Sequence, residues 1–306
     1  MQRFYPIGTP GTPWSESEKQ QWREKQTLRR GYQEEVLTPI NALRDSFELV
    51  QYGALSIDPK RYPLVALRRP QATPDVPWVL LTGGVHGYET SGVQGALKFL
   101  RTEAARYDGR INLVVAPCVS PWGYETINRW NPQAIDPNRS FYPDSPAEES
   151  RALLAFVNGL GIEFSLHVDL HETTDSDENE FRPALAARDG KAFEPGHIPD
   201  GFYTVGDTAN PQPQFQSAII RAVEQVTHIA EPDQHGQIIG SDVEQRGVIN
   251  YAYRELGLCG GATSAQFTTT TEVYPDSPSA TPSDCNAAQV AAVVGAIEFA
   301  LQRASG

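Results

Sequence analysis

The chain has 306 residues, 40% of them hydrophobic, which is enough apolar material for a sizeable core. A formal net charge of -13 argues against nucleic acid and anionic membranes as partners, since both demand basic patches. No apolar run approaches the roughly 18 residues that span a bilayer, and three cysteines, Cys118, Cys259 and Cys285, fit neither a complete disulfide framework nor a zinc cluster, so reduced thiols in a cytoplasmic protein are expected.

In chain order, residues 1–45 read as a helical extension, and the first 35, including the stretch from Trp14 to Lys25, are polar and match neither a signal peptide nor a membrane anchor. Residues 46–306 read as one catalytic domain, because the chemistry-bearing motifs run from 86 to 272 and must converge. Strands are expected at 47–55, 62–68, 77–83, 111–117, 163–171 and 266–274, and helices at 90–106, 146–159, 214–228 and 284–303, with a further helix over 248–256. Strands alternating with helices indicate an α/β layer fold. The acidic, Pro/Gly-rich stretch 172–203 reads as a long loop, with Asp175 to Glu180 as a solvated run.

Two of these strands end in chemistry. Trp78 to Leu81 is a continuous apolar run, as in a strand covered on both faces, and Gly83-Gly84 closes it. His86 and Glu89 follow, three residues apart, where the pattern turns helical through Val93, Ala96, Leu97 and Leu100. Open α/β sheets place their ligands at such carboxyl ends, and residues at this spacing are neighbours in a first helical turn. An imidazole and a carboxylate are two of the three protein ligands that a catalytic zinc site needs. His171, at the end of the apolar strand from Phe164, is the expected third. His167 shares its face but lies about 13 Å farther down the strand, so one ion cannot take both, and His167 reads as a hydrogen-bonded core residue. His197, His228 and His235 lie in polar, loop-like stretches and read as surface residues.

Two further segments add polar groups. Pro121 to Phe141 has loop composition and carries Arg129 and Arg139, while the β-branched strand 266–274 carries one carboxylate, Glu272. An acid deep in such a strand is costly without a partner or a task.

The order His86-x-x-Glu89, Arg129, Asp136-x-Asn138-Arg139, His171 and a late Glu272 resembles the zinc carboxypeptidases, or funnelins, over residues 76–304. The resemblance implies a mixed, mostly parallel central sheet of about eight strands with helices on both faces. It implies one zinc per chain on His86, Glu89 and His171, with Asp136 accepting a hydrogen bond from the other nitrogen of His86. It also implies that Asn138 and Arg139 clamp the free C-terminal carboxylate of a peptide, that Arg129 stabilises the oxyanion, and that Glu272 is the general base. Ile249 aligns with the floor of the side-chain pocket, which predicts an apolar C-terminal residue. Tyr251 and Tyr253 are the candidates for a tyrosine that covers the substrate.

An alternative within the superfamily is the succinylglutamate desuccinylase and aspartoacylase group, which shares the His-x-x-Glu, Asn-Arg, His and Glu pattern but acts on N-acyl amino acids. Those enzymes append a β-rich domain, whereas only 34 residues follow Glu272 here, with a helix expected among them. Peptide hydrolysis is therefore the favoured expectation. A zinc-binding module without turnover is the remaining reading, although it requires a lost catalytic position and none is lost.

Overall fold

The computed structural model describes residues 5–71 and 76–304. The described residues form ten strands: β1 (Glu48–Ala54), β2 (Pro63–Arg69), β3 (Trp78–Gly83), β4 (Asn112–Ala116), β5 (Phe164–Glu172), β6 (Tyr203–Asp207), β7 (Gln237–Ile238), β8 (Ser241–Asp242), β9 (Val248–Tyr251) and β10 (Phe267–Val273). The α-helices are α1 (Glu16–Glu24), α2 (Thr38–Asn41), α3 (Thr90–Thr102), α4 (Pro121–Thr126), α5 (Glu148–Gly159), α6 (Arg182–Arg188), α7 (Pro213–Val223) and α8 (Pro282–Ala304).

Eight strands form one sheet in the order β1-β2-β4-β3-β5-β10-β6-β9, and β7 pairs only with β8. Pairing is parallel for β3 with β4 and β5, for β5 with β10, and for β6 with β9. It is antiparallel for β1 with β2, β2 with β4, and β10 with β6. The central strands are apolar throughout because both faces are covered. In β3, Val79 and Leu81 join a core with Val93 and Leu97 of α3 and Val293 and Ile297 of α8, while Leu80 joins Leu153 and Val157 of α5 on the other side. This is the mixed, mostly parallel α/β sheet that the resemblance implies.

All six expected strands are present, but β6 and β9 in the main sheet and the β7–β8 pair are additional, and β9 replaces part of the helix expected over 248–256. Val248 and Ile249 instead pair with Thr204 and Val205 of β6, where β-branched side chains pack well. Part of the stretch 172–203 is helical as well: a π-helical turn, Asp177–Phe181, runs into α6. Within the expected loop 121–141, α4 forms first.

Helix α8 corrects one expectation drawn from composition. Over Pro282–Arg303 its mean hydropathy reaches 1.3, so by length and composition it could cross a bilayer. Here it is a core helix, burying Cys285, Ala288, Ala292, Val293, Ala296 and Ile297 and packing along α3 and α7.

Among the described residues, the segment before β1 contains only short helical pieces. Ser15 and Glu18 form a capping box that starts α1, and a π-helical turn, Gln33–Leu37, leads into α2. Its buried Trp14, Trp22, Tyr32, Val36 and Ile40 belong to the same core as β3 and α8.

Candidate metal centre and surrounding cavity

The ends of three neighbouring strands build the site. After β3, Gly84 turns the chain at φ 59°, a backbone conformation that suits glycine. Gly87 then lies against the backbone of Gly123 and Tyr124 so closely that a Cβ would collide. The loop thus folded carries His86, and Glu89 becomes the N-cap residue of α3. His171 lies one residue before the end of β5, and β10 pairs with β5 so that Glu272 is in register with His171.

His86, Glu89 and His171 are all buried, and their candidate ligand atoms lie within 4.8 Å of one another. His86 Nδ1 is 2.8 Å from Glu89 Oε1, and His171 Nδ1 is 2.8 Å from Glu89 Oε2. Each ring is anchored from behind: His86 Nε2 lies 2.9 Å from Asp136 Oδ1, and His171 Nε2 lies 2.8 Å from Asp169 Oδ2. A carboxylate on the outer nitrogen fixes the tautomer that presents a lone pair at the inner one, the usual arrangement of metal-binding histidines. Glu89 Oε2, despite the nearby ring, receives no well-directed hydrogen bond, a costly state for a buried carboxylate oxygen unless a cation shares it. Burial acts to raise the Glu89 pKa, but His171 and His86 outweigh it and hold the group below the usual range. Two imidazoles and one carboxylate therefore fit a divalent metal that keeps a position open.

Charged groups continue outward from His86. Asp136 is held well below the ordinary aspartate range: its burial is outweighed by Arg129 and then by His86. Arg129 donates from Nε to Asp136 Oδ2 at 3.1 Å and from Nη1 to Asp177 Oδ1 at 3.1 Å. Its Nη2 has no such partner among the described residues. Asp177 also accepts from the Tyr88 hydroxyl at 2.9 Å and the Thr174 amide at 2.8 Å. Asp175, Ser176, Asn179 and Glu180 are exposed, as expected of a solvated run, but Asp177 departs from it at only 6% exposed.

Asn138 and Arg139 differ from each other. Asn138 Oδ1 accepts from the Cys259 amide at 2.7 Å, and its Nδ2 lies 3.4 Å from His171 Nε2. Its carbonyl is thus anchored, which orients the amide and leaves Nδ2 as the group able to donate to a carboxylate. Arg139 is exposed and donates from Nη1 to Asn138 O at 2.7 Å, with no carboxylate partner among the described residues. Glu272 is half-buried, and its Oε2 accepts from Thr173 Oγ1 at 2.9 Å, which in turn meets the Tyr203 hydroxyl at 2.7 Å. Burial first, and then the Glu89 carboxylate, push its pKa up to about 8, with His171 opposing.

A cavity of about 760 Å³ opens beside the ligand set, and its lining includes His86, Glu89, Arg129, Asn138, Arg139 and Glu272. Val205, Ile239, Tyr251 and Leu258 give it apolar surface, and Trp14, Lys19, Trp130, Leu185 and Arg188 complete other parts of the wall. Three expected residues are not in the lining: His171, which is buried behind Glu89, and two further residues. Ile249 is fully buried with Val205 and Ile238 in a core cluster, two residues down β9 from Tyr251. Tyr253 lies beyond the strand, its ring against Gly260 and its hydroxyl donating to Val205 O, so it cannot cover a substrate. Tyr251 does line the cavity.

His167 stays apart from the ligand set. It meets Thr82 Oγ1 at 3.1 Å and Thr263 Oγ1 at 3.4 Å, and burial pushes its pKa down to about 4. Sequence reasoning assigned no role to Asp169, Thr173, Asp177 or Tyr203. Of these only Asp169 left a signal, through its shared strand face with His171 two residues on.

Comparison with known proteins bears on the fold. The model of the succinylglutamate desuccinylase/aspartoacylase catalytic domain matches residues 75–192. A candidate metallopeptidase from Shewanella amazonensis SB2B is similar in structure, with 21% identity, 86% of this chain and 90% of that one covered, and a TM-score of 0.63. The metallo-carboxypeptidase from Burkholderia cenocepacia gives 17% identity over 94% of this chain and 70% of its own, with a TM-score of 0.57. Bovine thrombin-activatable fibrinolysis inhibitor, solved with a tick carboxypeptidase inhibitor, gives 13% identity over 96% and 99%, also with a TM-score of 0.57. No curated protein sequence matches. The fold is zinc carboxypeptidase-like and related to the succinylglutamate desuccinylase group.

Proposed function

We propose that this chain is a zinc-dependent hydrolase of the carboxypeptidase and desuccinylase superfamily, and that it acts as a metallocarboxypeptidase on the C-terminal bond of peptides. The observation that carries the reading is the convergence of His86, Glu89 and His171 with Glu272 in register beside them, next to a cavity that His86, Glu89 and Glu272 line together with Arg129 and Arg139. Zinc held by the three ligands would supply Lewis-acid polarisation of the scissile carbonyl and acidify a water molecule.

The chain's own groups supply the rest. Glu272 takes a proton from the attacking water and returns it to the leaving amine, with its carboxylate oriented by the Thr173 hydroxyl. Arg129, fixed by Asp136 and Asp177, directs its remaining nitrogen to the developing oxyanion, a contribution of about 3 kcal/mol in comparable sites. Arg139 pairs a free substrate carboxylate with its planar fork. Because Arg139 is exposed rather than buried, discrimination against amidated ends comes from that pairing, not from the cost of an unpaired buried charge. Val205, Ile239, Tyr251 and Leu258 favour an apolar terminal side chain.

A cavity of about 760 Å³ has room beyond a single amino acid and supports a peptide substrate. The match over residues 75–192 favours the second reading, hydrolysis of N-acyl amino acids.

The test is mass spectrometry of a peptide library and of N-acetyl and N-succinyl amino acids incubated with zinc-loaded protein, with Glu272→Gln as control. Stepwise loss of C-terminal residues by the wild type alone is expected. Arg139→Ala should weaken binding of free peptides far more than of amidated ones. Release of acids from N-acyl amino acids with peptides untouched would move the assignment to the deacylase branch, and silence on both would leave a binding module.

A further inference from the structure

We propose that Arg30, on the segment before β1, is a positioning residue for the metal ligands His86 and Glu89. The inference rests on the ligand set given above. It goes beyond that set by making the N-terminal segment a working part of the centre.

The guanidinium of Arg30 gathers consecutive residues of the ligand loop. Nη2 donates to Gly87 O at 2.7 Å and reaches Tyr88 O at 3.4 Å, and Nη1 donates to Thr90 Oγ1 at 2.7 Å. Gly87 and Tyr88 are the two residues between the ligands, and Thr90 opens α3 directly after Glu89. The third nitrogen, Nε, donates to Tyr124 O at 2.6 Å, and the guanidinium lies 3.6 Å from the centre of the Tyr124 ring. One side chain thus ties the ligand loop to α4, the element against which Gly87 is pressed.

Arg30 is itself held by contacts that do not involve the loop. The Arg29 amide donates to Glu125 O at 2.8 Å, the Tyr32 amide to Glu125 Oε1 at 2.9 Å, and Asn128 Nδ2 to Gln26 Oε1 at 2.9 Å. The fork therefore arrives already oriented. Lysine has a point charge and no planar fork, so it cannot bond the loop and Tyr124 in this pattern.

The test measures zinc affinity by competition with a chromogenic chelator, beside thermal melts of the metal-free proteins. The variants are Arg30→Met, Arg30→Lys and Gln26→Ala, the last loosening the segment without touching the ligand loop. Loss of a group that orients metal ligands typically weakens affinity about 10- to 100-fold. That loss is expected for Arg30→Met, a smaller one for Arg30→Lys, and wild-type affinity for Gln26→Ala even if its metal-free form melts earlier. Wild-type affinity in Arg30→Met would overturn the proposal, as would an equal loss in Gln26→Ala, which would assign the effect to general loosening. If Arg30→Met does not fold, Arg30→Lys against Gln26→Ala decides by the same comparison. A wild type that binds no zinc would instead overturn the ligand set.

Discussion

The middle and the end of β5 each carry a buried histidine on the same face, four residues apart, and the two have opposite characters. His167 lies among the hydroxyls of Thr82 and Thr263, and burial keeps it neutral down to a pH of about 4. His171 has a carboxylate at each ring nitrogen, Asp169 behind and Glu89 in front. Burial alone therefore makes a quiet core residue, and the flanking carboxylates are what prepare an imidazole for a cation. The two regions are also linked, because Thr82 Oγ1 donates to Asp169 Oδ1 at 2.6 Å while touching His167.

The largest expected effect is at the strand end. Glu272→Gln should retain zinc yet lose about 10²- to 10⁴-fold in turnover, the usual contribution of a general base, whereas His167→Gln should leave turnover near wild type. Equal activity of the Glu272 variant and the wild type would remove that residue from the chemistry and erase the contrast.

Next in size is Asp169→Asn. It keeps the shape but removes the charge behind His171, and about a 10- to 100-fold weaker zinc affinity is expected from chelator competition. Unaltered affinity would mean that the outer carboxylate does not distinguish His171 from His167.

The smallest effect near neutral pH belongs to His167→Gln and concerns stability alone. The folded protein keeps His167 neutral down to about 4, while the unfolded chain takes up the proton near 6.5. Stability contributed by this site is therefore lost as pH falls through that window, by about 1.4 kcal/mol per unit and about 3 kcal/mol in all. Urea unfolding of the metal-free proteins at pH 7 and pH 5 should show a shallower decline in the variant. Identical declines would place the titration elsewhere.

The sheet-borne part of the site was legible because β3, β5 and β10 are continuous runs with His86, His171 and Glu272 at or just past their carboxyl ends. The strand β9 was not, because Ile249 and Tyr253 stand four residues apart and mimic a helical period. Only pairing with β6 reveals the strand. Asp177 and Arg30 were hidden for a different reason. Their partners, Arg129 and the 87–90 loop, lie 48 and about 60 residues away, beyond any local pattern. Trp14 and Lys19 likewise reach the cavity wall only through tertiary packing.

The most direct measurement is anomalous diffraction at the zinc absorption edge from crystals of zinc-loaded protein. The account predicts one peak per chain, coordinated by Nδ1 of His86, the Glu89 carboxylate and Nδ1 of His171. No peak, or a peak held by other residues, would contradict it.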